Sequence, residues 1–80
     1  MIDKVKEVLL KEQAEVYIRD WDYDPEFGAV IRPEEFEKRV KAATTIEELR
    51  KITVDTWKEN GCERYQGYHF FTEVLEEVLG

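Results

Sequence analysis

Apolar positions recur with a helical period over most of this chain and change period in one stretch. Ile2, Val5 and Leu9 fall on one face of a helix predicted over residues 3–13, which Asp3 can cap. Glu7 stands four residues before Lys11, the favourable order for an ion pair on a helix surface. The apolar stripe then breaks at Lys11, Glu12 and Gln13. Continuing the helix through Trp21 scatters apolar residues round all sides. Residues 15–22 instead alternate and are rich in β-branched and aromatic side chains, so they read as a strand. Asp24-Pro25 marks a turn, and Gly28 precedes the short apolar run Ala29-Val30-Ile31. A β-hairpin is therefore expected near residues 15–32, with its loop around 23–28.

Helical spacing returns at Pro33, which suits the first position of a helix, with Glu34 and Glu35 in the first turn. Phe36, Val40 and Ala43 form its stripe. Thr45 and Glu48 have the spacing of a capping box and start a third helix along Ile46, Leu49, Ile52 or Thr53, Thr56 and Trp57. Asn60-Gly61 is a strong stop, with glycine suited to the left-handed position after a helix. A last helix is expected from about Tyr68 to Leu79, burying Phe71, Leu75, Val78 and Leu79. The predicted fold class is α+β: one small, mostly helical domain of three or four helices covering a hairpin.

Chain length bears on how such a domain holds together. The chain has 80 residues, and a domain of this size buries only about 60% of the surface that its unfolded form exposes. Ten aromatic residues offset this by burying a large area each, and dimerisation could supply more. Met1 leads directly into Asp3 and Lys4, and the longest apolar run nearby, Val8-Leu9-Leu10, is too short for a signal peptide core or a membrane span. With a single cysteine, Cys62, no internal disulfide is possible, and the expected setting is cytoplasmic.

Charge is where local preference is broken. The net charge is −7, which opposes a phosphate backbone or an anionic membrane and suits a basic protein partner. Glu34 and Lys38, Glu35 and Arg39, Glu37 and Lys41, and Glu47 and Lys51 are spaced as favourable pairs on the middle helices. Residues 33–60 accordingly net −1, whereas residues 1–32 and 61–80 each net −3. Glu73, Glu76 and Glu77 crowd the C-terminal end of the last helix, where the dipole disfavours anions, and no Lys or Arg follows Arg64. Asp20, Asp22, Asp24 and Glu26 form a second acidic pole. Glutamate is a good helix former and these acids can simply keep the chain soluble. The sharper reading is that they dock on a basic partner surface, even a nucleic-acid-binding groove, as small acidic phage and mobile-element anti-defence proteins do. That comparison rests on size and charge only.

Candidate chemistry is sparse. Asp20, Asp22 and Asp24 have the spacing of the first ligands of a calcium loop, but its turn glycine and terminal glutamate are replaced by Pro25 and Ile31. At most this is a weak divalent-cation module. Cys62 and His69 could pair as nucleophile and base, although Cys62 is better explained as packing back on Trp57 after the helix stop. The chain has no serine and its glycines form no phosphate loop. No catalytic residues, metal site or cofactor are expected. Trp21 and Tyr23, interleaved with the aspartates, and Tyr65 and Tyr68 are candidate contact residues of an interface. The leading expectation is a non-catalytic inhibitor or adaptor that binds through Asp20, Trp21, Asp22, Tyr23, Asp24, Glu26, Tyr65, Tyr68, Glu73, Glu76 and Glu77. A structural homodimer or complex subunit using exposed aromatics is the alternative.

Overall fold

The computed structural model describes residues 1–15 and 33–80, and these form four helices: α1 (Ile2–Glu15), α2 (Pro33–Ala42), α3 (Ile46–Glu59) and α4 (Arg64–Leu79). The described residues are 85% helical and contain no strand, so this part of the chain is all-α and the α+β expectation is corrected. The expected hairpin lies outside the described residues except for Glu15, which is helical. The apparent break at Lys11-Glu12-Gln13 does not end α1. Gln13 stands four residues after Leu9 and eight after Val5, continues the same face, and is as buried as its apolar neighbours. A polar side chain holds that position because the Trp57 indole Nε1–H donates to Gln13 Oε1 at 2.8 Å.

Each remaining helix follows from local signals. The Met1 carbonyl accepts from the amides of Lys4 and Val5 and opens α1. In α2, Phe36 and Val40 are buried with Ala43 just beyond the end, as their spacing predicts. Two of the expected pairs form there: Arg39 Nε reaches Glu35 at 3.4 Å and Lys41 Nζ reaches Glu37 at 2.7 Å. Each contributes roughly 0.2–0.5 kcal/mol to helix stability. Arg39 also crosses to Glu59 of α3 at 3.3 Å, and Lys6 of α1 donates to the Lys41 carbonyl at 3.0 Å, a cation at the negative end of α2.

Thr45 caps α3 in extended backbone, its hydroxyl accepting from the Glu48 amide at 3.0 Å. At the other end Gly61 takes φ +93°, the Gly61 amide donates to the Lys58 carbonyl and the Cys62 amide donates to the Trp57 carbonyl. This pair of bonds is the Schellman arrangement that Asn60-Gly61 predicts, and Cys62 packs partly buried against the core behind it. Lys51 turns to Asp55 at 3.1 Å, and Arg64 approaches the same carboxylate at 3.7 Å.

The last helix starts four residues earlier than expected, because Gln66 Oε1 accepts from the Glu63 amide at 2.7 Å and secures the first turn. Gly67 is thus inside α4 instead of before it. A Cβ at this position would lie 2.9 Å from Val54 Cα and 3.4 Å from Trp57 Cβ, so the glycine lets α4 lie directly on α3. Phe70 and Phe71 point about 100° apart, yet both are buried, since α4 packs on α3 and also on α1. Val74 is buried with them, while Leu79, expected inside, is 69% exposed. One core draws on all four helices, with Val5 and Leu9 of α1, Phe36 of α2, Leu49 of α3 and Phe71 and Val74 of α4 among its members.

Candidate functional site

Beside the crossing that needs Gly67 lies an open concavity formed by α3 and α4. Contact of Gly67 with Val54 turns the adjoining face of α4, carrying Gln66, Phe70 and Glu73, along Trp57. Together with Tyr65 and His69 these residues line an open groove of about 650 Å³. Its floor is a ring pair: Trp57 and Phe70 stack with centroids 4.8 Å apart and planes inclined by 27°. The indole has one donor and Gln13 already accepts from it, so Trp57 offers the groove carbon surface only.

The walls are polar and accessible. Tyr65 is 69% exposed. His69 Nε2 lies 3.0 Å from Glu73 Oε1, with both side chains largely in solvent. Glu77 follows Glu73 by one helical turn on the same face. Across the α1–α4 contact it meets Glu12, whose carboxyl is raised above its ordinary value first by a hydrogen bond with the Glu77 side chain, then by burial and by the charges of Glu77 and Glu15, with Lys11 opposing. Two helices thus bring two carboxyl groups together one turn beyond Glu73. Glu76 is exposed beside them. Among the residues of α4, no Lys or Arg follows Arg64.

The residues expected to bind a partner are therefore divided. Tyr65 and Glu73 line the groove, and Glu76 and Glu77 extend its acidic end along α4. Tyr68, 46% exposed, faces elsewhere and lines a more polar depression with Thr45, Glu48, Arg50, Lys51 and Arg64. Asp20, Trp21, Asp22, Tyr23, Asp24 and Glu26 lie outside the described residues, and so does the aspartate spacing considered for a cation. Among the described residues no group of three or more His, Cys, Asp or Glu is placed to hold a metal ion, and no helix is long and apolar enough to cross a membrane.

Sequence reasoning missed Trp57 and Phe70 as the floor and Glu12 as part of the acidic end. The spacing of Gln66, Phe70 and Glu73, four and then three residues, is a helical stripe that an earlier start of α4 brings out. Nothing local signals the meeting of Glu12 with Glu77, which are 65 positions apart in the chain. Compared with known proteins, the chain matches no family model, no curated protein and no solved structure.

Proposed function

We propose that this chain is a small acidic interaction protein, an inhibitor or adaptor, that docks the exposed face of α4 on a basic surface of a partner protein. One observation carries the reading: Glu73 stands exposed on the rim of an open groove floored by Trp57 and Phe70, and Glu76 and Glu77 stand exposed beyond it at the negative end of α4. Carboxylates there work against the helix dipole and against one another, so they lower the stability of α4 rather than raise it. Local preferences are violated most often where a surface has another task. An apolar floor with a charged rim has the composition of an interface centre and its border. The partner's surface is basic, including the kind that binds nucleic acid; the net charge of −7 disfavours direct contact with nucleic acid or an anionic membrane. A cytoplasmic setting suits a chain whose single cysteine is Cys62.

The test is capture of a partner by tagged protein at about 50 mM and about 500 mM salt, concentrations either side of the 0.1 M at which screening length is roughly 10 Å. The triple charge reversal Glu73→Lys, Glu76→Lys, Glu77→Lys is run beside it. Capture of a basic protein that is lost at high salt and in the reversed variant supports the reading. A partner held equally through both changes overturns it.

A further inference from the structure

The groove is lined as far as Glu73, Glu77 follows one turn further along α4, and their chemistry narrows what fits. The lining side chains from Tyr65 to Glu73 extend over about 12 Å of helix axis, at roughly 1.5 Å per residue, and Glu77 lies about 6 Å further on. An apolar floor followed by carboxylates one turn apart is complementary to an element with the same spacing: apolar side chains on one stripe and cations one turn apart beside it. We infer that the groove takes a cationic amphipathic helix of the partner, an apolar side chain seated on Trp57 and Phe70, one Lys or Arg at Glu73, and a second at Glu77 and Glu12. This rests on the reading of α4 as the docking face and supplies the occupant.

Charge complementarity selects this occupant over the others. Glu73 has an imidazole, that of His69, 3.0 Å away instead of a Lys or Arg, and Glu77 has a second carboxyl group against it. A Lys or Arg placed beside Glu77 gives that carboxylate an attractive partner. The exposed ring of Tyr65 at the opposite end offers a face for a further cation. A second copy of this chain is the poorer fit, because it would set one acidic rim against another at a net charge of −7 each. An acidic helix is repelled by the rim for the same reason. Helices seated in apolar grooves through residues spaced by one turn are a recurrent mode of recognition.

The experiment follows the Trp57 indole N–H resonance of the isotopically labelled full chain, assigned with Trp57→Phe. The probe is a synthetic Leu/Lys amphipathic helix of about fourteen residues, or roughly four turns. A peptide with the same lysines and with serine for leucine, and a Leu/Glu peptide, serve as controls. The Leu/Lys helix is expected to shift the resonances of Trp57, Tyr65, Phe70 and Glu73 saturably, and the Leu/Glu helix to leave them in place. Joint Glu73→Gln and Glu77→Gln substitution is expected to weaken binding about fivefold, the scale of two partly exposed ion pairs, whereas Lys51→Ala on α3 leaves it unchanged. Equal binding by the serine peptide shows that charge alone docks and overturns the groove assignment without touching the broader reading, which the salt-dependent capture tests separately. Shifts confined to residues outside the groove overturn it as well. Movement of the Trp57 resonance with protein concentration alone assigns the groove to a second copy and also overturns it.

Discussion

The indole N–H of Trp57 on α3 donates to the side-chain carbonyl of Gln13 on α1, 2.8 Å away and buried, joining residues 44 positions apart. This one bond ties the Trp57 side chain of α3 to the buried face of α1. Replacing Gln13 with leucine leaves the indole donor without its acceptor in a dry setting, which costs about 1–3 kcal/mol. Trp57→Phe removes the donor and some packed volume. Urea unfolding of both single variants and the double variant is expected to show less loss in the double than the sum of the singles, because neither polar group is then left behind.

Gly67→Ala is expected to destabilise the protein although alanine is the better helix former by about 1 kcal/mol. Its methyl group would meet the Val54 backbone at 2.9 Å, and overpacking of this kind costs roughly 1–3 kcal/mol. Gly61→Ala is expected to lose about 1–2 kcal/mol for a different reason, the strain of φ +93° for a residue with a Cβ. The two are separable: the Gly67 variant perturbs the Trp57 and Phe70 resonances most, whereas the Gly61 variant lowers the unfolding midpoint with the groove intact.

Much of this helical layout is legible in the sequence, because caps and stops are local. Thr45, Asn60 and Gly61 act where their chemistry says they should, and the Phe36, Val40 and Ala43 stripe is buried as its spacing requires. The misreadings share a cause in tertiary contact. Gln13 looks like the end of a stripe only while its indole partner is unknown, and Gly67 looks like a loop residue until α3 lies against it. Half of the candidate site was legible in the same sense. Tyr65 and the glutamates of α4 stand out by exposure-prone chemistry and charge, but the division of Tyr65 from Tyr68 depends on which way α4 is turned, and that is set by the contact at Gly67.

Acid should act on two glutamates in opposite directions. Glu48 is held below its ordinary value, chiefly by the Thr44 hydroxyl, which donates to it at 2.7 Å. Its contribution is present above the ordinary carboxylate value and lost as pH falls through the lowered one. Glu12 is raised, so its contribution is full below the ordinary value and lost as pH rises through the raised one. Urea midpoints at about pH 7 and in progressively stronger acid are expected to show Glu48→Gln weaker than the parent at the higher pH, with the difference shrinking as pH falls. Glu12→Gln is expected to be more stable than the parent at the higher pH, and both variants to converge on the parent in acid.

Charge reversal of Glu73, Glu76 and Glu77 should separate folding from docking. Reversal at Glu76 and Glu77, in the last turn, relieves an unfavourable dipole interaction of roughly 0.3–1 kcal/mol each at low salt, so the thermal midpoint of the triple variant is expected to rise while capture of a basic partner falls. A variant that loses both would mark these residues as structural.

The backbone contact at Gly67 also governs how such a surface can change over generations. Because α3 and α4 meet there through main chain, their crossing is indifferent to the side chains at Tyr65, His69 and Glu73, which stand in solvent. Those positions can be exchanged one at a time while the ring pair of Trp57 and Phe70 stays where it is. The shape of the groove and the chemistry of its rim thus rest on separate residues, and the rim can be substituted without rebuilding the floor.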